Sequence, residues 1–180
     1  MRFICLLFCL VLAGLGFAQD YRPARGETVL RLAIEGRGNV YIRLHTKEAP
    51  NTTAHIIQLA KSGFYDGQKF HKVLKSPRPY LVQVGDPASR NQDLDSIGNG
   101  GSGNPVAYEE SGFSNEAGAV GLAAQRDDKN SGDSQFYMLL DRASFLDRKY
   151  TVFGQVVSGM DVLRKVEKGD RLQSVSVLQG

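Results

Sequence analysis

Two short apolar runs separated by a proline-rich link most constrain how this chain can fold. The runs Phe70–Leu74 and Tyr80–Val84 are rich in β-branched and aromatic residues and are bounded by Gly, Pro and Asp, which is typical of adjacent β-strands. The link Lys75–Pro79 cannot continue a strand ladder, because each proline lacks an N–H and has a fixed φ. The sequence therefore predicts two rigid strands, which carry the polar residues Lys72 and Gln83, joined by a stiff loop.

Alternating apolar residues predict further strands elsewhere in the chain. In Thr28–Glu35 the apolar residues recur at every second position, as a half-buried strand requires. Val40–Leu44 alternates in the same way and follows a Gly-rich turn, so we expect these two segments to form a hairpin. Three more strands are expected on similar grounds: Ser134–Leu140, Tyr150–Val157 and Leu172–Leu178.

Two modest helices are expected among these strands. The first begins near Pro50, where proline is tolerated in a first turn, and Gly63 ends it after an apolar stripe at helical spacing. A short second helix is expected at Met160–Lys165. Many short strands with two helices favour a mainly β fold, either a barrel or a sandwich. The pattern alone does not choose between the two.

The first residues of the chain have the features of a secretory signal peptide. A basic start is followed by the apolar run Phe3–Phe17, and Gly16–Ala18 resembles a cleavage site before Gln19. We expect a signal peptide at 1–18, a flexible lead-in at 19–27 and a folded domain at 28–180, and thus an exported protein, periplasmic or secreted. A membrane anchor is the alternative, although the apolar run is shorter than the roughly 20 residues that span a bilayer.

The composition argues against several classes of function. Both cysteines, Cys5 and Cys9, lie in the predicted signal peptide, so the mature chain would have no disulfide and no thiol chemistry. His45 and His55 are isolated, and no cluster of His, Asp and Glu has metal-ligand spacing. We therefore expect no metal and no cofactor. The net charge is only +3 and no Lys/Arg run exceeds two residues, which argues against nucleic acid as a partner.

The segment Gly85–Gly118 is long, rich in glycine and without a regular pattern. A loop of this length inside a compact domain is usually functional. Its centre, Asn99–Gly103, lacks the Lys-Ser/Thr pair and the strand-to-helix context of a phosphate-binding loop, so phosphate binding is not expected.

The stretch Gly63–Pro87 resembles the central pattern of the cyclophilin-type peptidyl-prolyl isomerases, G-[FY]-Y-D-G-x-x-F-H-R-V followed by Q-G-G-D-P. Further segments resemble signatures of the same family in the same order. They are Ala49–Thr52, Gly118–Ala123, Ser134–Tyr137, Phe145–Asp147, Tyr150–Val156, Gly159–Val162 and Gly169–Asp170. Any one motif is weak, but eight in order are specific, and together they cover essentially all of Thr28–Leu178.

The resemblance implies a fold and an activity. The fold would be a closed eight-stranded antiparallel β-barrel capped by two α-helices. The activity would be cis–trans isomerisation of Xaa-Pro bonds without a cofactor. The partners would be Pro-containing peptides and unfolded exported proteins, whose folding the protein would assist as a monomer. We expect neither a nucleic-acid partner nor stable association with a membrane after cleavage of the signal peptide.

The resemblance also implies a site. Lys72, Gln83 and Tyr137 would be catalytic, with Lys72 standing where the family has arginine. The remaining substrate-binding positions comprise the proline socket, its rim, a backbone-binding amide and the adjoining groove. They are Tyr80, Leu81, Leu146, Phe145, Tyr150, Gln135, Ala123 and Ala124. For the apolar members the alternative is a place in the barrel core. His71 is structural in the family and bond rotation needs no proton transfer, so no catalytic role is expected for it.

The chain departs from the family pattern at chemically important positions. Lys72 keeps the charge of the family's arginine but lacks the guanidinium fork. Ala124 replaces an asparagine, Tyr137 replaces a phenylalanine and needs a partner for its hydroxyl, and Val84 replaces a glycine. The loop with Arg78 is enlarged. The alternatives are therefore a non-catalytic binding module or chaperone of the same fold, or an unrelated small-molecule-binding barrel if the order of motifs is coincidental.

Overall fold

The structure is a computed structural model that describes residues 21–78 and 80–180. In these residues eight strands form one antiparallel sheet. The predicted signal peptide and the start of the lead-in lie outside these residues. The sheet order is β3-β4-β6-β5-β7-β2-β1-β8. The strands are β1 Thr28–Ile34, β2 Gly38–Leu44, β3 Lys72–Leu74, β4 Leu81–Val84, β5 Ala119–Leu122, β6 Phe136–Leu139, β7 Val152–Ser158 and β8 Leu172–Gln179.

The two predicted helices are present within the described residues. They are α1, Pro50–Lys61, and α2, Met160–Lys165. Helix α1 buries Ile56 and Ala60 in the core and packs against β8. It is followed by Gly63, whose φ of 72° is the left-handed conformation that favours glycine at a helix end. None of the helices in this part of the chain is long and apolar enough to cross a membrane.

The closed barrel expected from the resemblance is wrong, because the sheet is open. Its edge strands are β3 and β8, which share no ladder. The segments just before β3 and just before β8 contact each other. Lys69 and Arg171 form an isolated bridge, and Phe70 is hydrogen-bonded to Gly169 and Asp170. Because this bridge is antiparallel, β3 (Lys72–Leu74) leads away from β8 (Leu172–Gln179), so the two edge strands do not pair along their length.

Both faces of the β4–β6–β5 region are buried, in two separate clusters. Alternate residues of a strand point to opposite faces, and on β6 Phe136 and Met138 join the main core with Ile56 and Phe153. The intervening residue Tyr137 belongs to a second cluster on the opposite face. The other buried members of that cluster are Leu81, Ala119, Leu139, Ala143 and Val152. This double burial explains why the strands read as almost continuous apolar runs.

Helix α1 has no capping side chain of its own at its N-terminus, and the long loop supplies one. The N-cap residue is Ala49, and the Glu109 carboxylate accepts the backbone N–H groups of Asn51 at 3.0 Å and Thr52 at 2.8 Å. It also accepts the Asn51 side-chain amide at 2.9 Å. Burial raises the pKa of Glu109, and these hydrogen bonds outweigh it, so that the pKa is lowered overall. The long loop is therefore fixed to the helix that precedes it.

Replacing Glu109 by alanine should lower the free energy of unfolding by about 1–2 kcal/mol, the range for loss of an N-terminal helix cap. The matched control is Glu110→Ala, because Glu110 is exposed and bonds only the hydroxyl of its neighbour Tyr108 among the described residues. Urea unfolding of both variants measures the difference. Equal stability of the two variants would contradict the capping role.

His45 and His71 should make stability depend on pH. Burial lowers the pKa of both rings, so between the lowered folded values and the unfolded value of about 6.5 the unfolded chain binds more protons. Stability should therefore be fully present above about pH 6.5 and fall as the pH drops below it, by at most about 1.4 kcal/mol per pH unit for each histidine.

The test compares urea unfolding of the wild type with that of His45→Phe, at about pH 7.5 and about pH 5.5. His45 stacks on Phe113 with ring centroids 3.8 Å apart, and phenylalanine keeps that contact while removing the titratable group. The variant should lose less stability on acidification than the wild type. An unchanged pH dependence would show that His45 makes no contribution.

Candidate active site

A cleft of about 640 Å³ lies on the second face of the sheet. Its floor comes from β4 and β6, and its walls come from the Gly-rich loop and from the segments after β5 and β6. It is lined by residues that include ten of the eleven predicted site positions. These are Lys72, Tyr80, Leu81, Gln83, Ala123, Ala124, Gln135, Tyr137, Leu146 and Tyr150.

The three residues predicted to be catalytic lie side by side across the sheet. Strand register pairs Lys72 of β3 with Gln83 of β4, Gln83 with Tyr137 of β6, and Tyr137 with Gly121 of β5. Directly paired residues of neighbouring antiparallel strands lie on the same face. One transverse row therefore presents an ammonium group, an amide and an aromatic ring to the cleft.

The aromatic ring of Tyr137 passes across Gly121. A Cβ atom on Gly121 would lie 2.2 Å from Cζ and Oη of Tyr137, so only glycine leaves room for the ring. The tyrosine hydroxyl donates to Oδ1 of Asn115 at 2.7 Å. Burial raises the pKa of Tyr137 strongly, so this hydroxyl stays protonated. The hydroxyl that distinguishes this residue from the family's phenylalanine thus points away into a buried partner.

Partly buried side chains surround Tyr137 and form an apolar socket. Tyr150 meets its ring edge-on, with centroids 5.8 Å apart, and Tyr80 and Leu146 pack on the same cluster. Phe145 is the predicted position that does not line the cleft. It is 54% exposed and lies beside the opening against the ring of Tyr80, with centroids 5.4 Å apart. The socket presents an apolar surface to the cleft.

Two glutamines connect the floor of the cleft to the Gly-rich loop. Nε2 of Gln83 donates to Oε1 of Gln135 at 2.9 Å, and Nε2 of Gln135 donates to the carbonyl of Gly100 at 2.8 Å. Gln135 is buried and both ends of its amide are engaged within the protein. Its position therefore fixes the orientation of Gln83, which is less buried and borders the cleft.

Two carboxylates hold the loop wall in place. Asp86 is fully buried and accepts the N–H groups of Gly98 at 2.8 Å and Gly100 at 2.9 Å. Asp133 accepts the N–H of Gly103 at 2.8 Å and the hydroxyl of Ser102. Burial raises the pKa of Asp133, but these hydrogen bonds and one from His55 outweigh it and lower the pKa overall.

The same carboxylates explain why this loop is rich in glycine. A Cβ on Gly100 would lie 2.5 Å from Oδ1 of Asp86, and a Cβ on Gly101 would lie 2.4 Å from Oδ2 of Asp133. Side chains at these positions would keep the backbone away from the two acids. The glycines therefore serve close approach to carboxylates rather than to a phosphate.

Two cations line the cleft, and the arginine of the enlarged loop lies elsewhere. Lys72 and Arg126 border the cleft, and neither has an ion pair among the described residues. Arg78 is exposed and pairs with Asp141 at 3.1 Å, outside the cleft. His71 is buried and does not line the cleft, and burial lowers its pKa. Lys72 is therefore the cation beside Gln83.

Sequence reasoning missed several residues that build the site. Asn115, Gly121, Asp86 and Asp133 were not singled out for a role, and neither was Arg126. The glycines between Asn99 and Gly103 indicated an unusual loop, but their acidic partners are far away in the sequence. No group of three His, Cys, Asp or Glu side chains able to hold a metal is found in the described residues.

Comparison with known proteins gives consistent matches. The family model for cyclophilin type peptidyl-prolyl cis-trans isomerases matches residues 29–179. A probable peptidyl-prolyl cis-trans isomerase of Brucella suis is 35% identical over 174 residues, covering 93% of this chain and 85% of the relative. Peptidyl-prolyl cis-trans isomerase B of Bacillus subtilis is 32% identical over 146 residues, covering 80% and 94%.

Solved structures agree on the fold. A cyclophilin type peptidyl-prolyl cis-trans isomerase of Cryptosporidium parvum superposes with a TM-score of 0.72 at 20% identity, covering 86% of this chain and 99% of that one. A second structure of that protein, solved in the presence of the dipeptide Ala-Pro, gives a TM-score of 0.71 at 20% identity and covers 84% and 99%. With the family model spanning nearly all of the described domain, this chain belongs to the cyclophilin-type peptidyl-prolyl cis-trans isomerases and is an enzyme of that family.

Proposed function

We propose that the cleft isomerises Xaa-Pro bonds of proteins exported from the cytoplasm and thereby assists their folding. The observation that carries this proposal is the row Lys72–Gln83–Tyr137 beside an apolar socket. The socket suits a proline ring, and the Cryptosporidium parvum relative was solved in the presence of a dipeptide that contains proline. Lys72 and Gln83 border the same cleft as the socket, which supports a role for them at the peptide bond ahead of a bound ring.

The reaction breaks no covalent bond, and it is helped by an apolar socket for the proline ring and by a hydrogen-bond donor for the proline nitrogen. Amide resonance opposes rotation with a barrier of about 18–20 kcal/mol, so uncatalysed prolyl isomerisation takes tens of seconds or longer. As the bond twists, the proline nitrogen regains its lone pair. A donor aimed at that nitrogen stabilises the twisted state more than either planar isomer, which is what accelerates the reaction.

Each residue of the row has a role in this scheme. The Lys72 ammonium group donates to the nitrogen lone pair of the twisted bond. Gln83 bonds the backbone of the bound segment, and Gln135, whose amide is engaged within the protein, orients Gln83 instead of bonding the substrate itself. The ring is gripped by the apolar side chains of the socket, and the rest of the peptide follows a smooth groove. The socket and groove residues are Tyr137, Leu81, Leu146, Tyr80, Phe145, Tyr150, Ala123 and Ala124.

The role of Lys72 can be tested by substitution. Lysine presents a mobile point charge, whereas arginine presents a rigid fork. A well-aimed hydrogen bond to a charged group contributes about 1.5–3 kcal/mol, which corresponds to roughly 10- to 100-fold in rate. Lys72→Arg should therefore raise kcat/KM by up to that factor, and Lys72→Ala should lower it. A protease-coupled assay on a short Xaa-Pro peptide measures both.

Arg78→Ala is the matched control, because Arg78 lies outside the cleft and pairs with Asp141. It should leave kcat/KM unchanged. If Arg78→Ala is the damaging change instead, Arg78 is the cationic donor and the role of Lys72 is refuted. If the wild type and all three variants bind the peptide but do not isomerise it, the cleft is a binding site and not a catalytic one. Lys72 and Ala124, which depart from the family pattern, favour that alternative.

Export is supported by the basic start, the apolar run Phe3–Phe17 and the small residues before Gln19. N-terminal sequencing of the protein recovered from outside the cytoplasm should give a chain that starts at or near Gln19. A cytoplasmic pool that starts at Met1 is the internal control. Exported material that still begins at Met1 would contradict cleavage and favour an anchored form.

A further inference from the structure

We propose that Asn115 is a positioning residue that holds the floor and one wall of the socket in a single geometry. The proposal rests on the proposed isomerase function of the cleft. Asn115 lies in the long loop, does not line the cleft and is 1% exposed. It acts on the substrate only through the residues that it holds.

The first of these residues is Tyr137, at the floor of the socket. Its hydroxyl donates to Oδ1 of Asn115 at 2.7 Å, and its side chain is buried. A buried hydroxyl that loses its partner bears a desolvation penalty, because water cannot replace the lost hydrogen bond. Asn115 therefore sets how far the ring reaches across Gly121, and so where the floor of the socket lies.

Asn115 also contacts the segment that follows β6, which forms one wall of the socket. The backbone N–H and the side-chain amide of Asn115 both donate to Oδ1 of Asp147, at 2.7 Å and 3.1 Å. The carbonyl of Asn115 accepts the N–H of Ala143 at 2.8 Å. These two residues bracket the turn Ser144–Leu146, which carries Leu146 into the cleft.

All four polar groups of Asn115 are thus engaged, and the two connections fix each other. A carboxylate can only accept, so the amide nitrogen must face Asp147 and the amide oxygen must face Tyr137. The tyrosine hydroxyl then has to donate. The backbone hydrogen bond from Asn115 also lowers the pKa of Asp147, because it stabilises the ionised carboxylate. One side chain therefore couples the position of Tyr137 to that of Leu146.

The coupling is specific to a chain with tyrosine at position 137. A phenylalanine there would have no hydroxyl to satisfy, and the loss of Asn115 would then leave no unpaired donor in the floor. The effect of removing Asn115 should therefore depend on residue 137. This dependence separates positioning of the socket from a general contribution to stability.

The experiment measures kcat, KM and thermal midpoint for wild type, Asn115→Ala, Tyr137→Phe and the double variant on one Xaa-Pro peptide. Asn115→Ala should lower kcat/KM about tenfold, equivalent to ~1.4 kcal/mol, mostly through a higher KM. In the Tyr137→Phe protein the same substitution should lower kcat/KM by a clearly smaller factor. Assays are run well below every thermal midpoint, so that each protein is folded.

Asn51→Ala is the matched control, because Asn51 donates its side-chain amide to Glu109 outside the cleft. It should shift the thermal midpoint and leave kcat/KM unchanged. Wild-type kcat/KM in folded Asn115→Ala would overturn the proposal. So would an equal loss of kcat/KM from Asn115→Ala in the wild-type and Tyr137→Phe backgrounds, which would assign Asn115 a purely structural role.

Two further readouts keep the test decisive. If Asn115→Ala does not fold, the backbone amide resonances of Ser144 and Asp147, which lie outside the apolar cluster around Tyr137, are compared between the wild type and Tyr137→Phe. A shift supports the connection through Asn115, and unchanged resonances refute it. If the wild type itself does not isomerise the peptide, the proposed function fails, and dissociation constants of a Pro-containing peptide for the same four proteins then test the positioning role.

Discussion

The site depends on the two-residue alternation of the central strands with both faces covered. Because one face of β6 packs into the main core through Phe136 and Met138, its orientation is fixed by a large apolar contact. The opposite face then presents Tyr137 at a defined place in the second cluster. Register extends this to the neighbouring strands, so that Gln83 and Lys72 fall in line with the ring. A rigid sheet, rather than a loop, carries the groups that line the floor of the cleft.

The long loop becomes a wall because buried acids satisfy its backbone. A loop with few apolar residues gains little from burial, and its N–H groups need partners. Asp86 and Asp133 accept them on the cleft side, and Glu109 connects the loop to the start of α1. The glycines at positions 100 and 101 permit the close approach of both acids. Hydrogen bonds to these acids therefore fix much of the backbone of a segment that has no core of its own.

Departures from the family pattern are matched by local structure where the structure describes them. Tyr137 adds a hydroxyl, and Gly121 provides the space while Asn115 provides the acceptor. Lys72 retains a positive charge beside Gln83, and Arg78 is held away by Asp141. The socket thus stays apolar, because the added hydroxyl faces the buried amide of Asn115 instead of the cleft.

Local sequence patterns determined the elements and most of the cleft. Periodicity and turn residues sufficed for most of the strands, for α1 and for the bounds of α2, and resemblance in motif order identified ten residues that line one cleft. The strands and helices follow from short-range backbone preferences and from which side chains prefer burial, whereas the cleft residues rested on the family resemblance. Only the tertiary structure decided that the sheet is open, that Glu109 caps α1 and that Asn115 joins Tyr137 to Asp147. Each of these depends on how residues far apart in the chain meet, and no local pattern specifies which distant partner satisfies a given hydrogen bond or in which direction two distant edges run past each other.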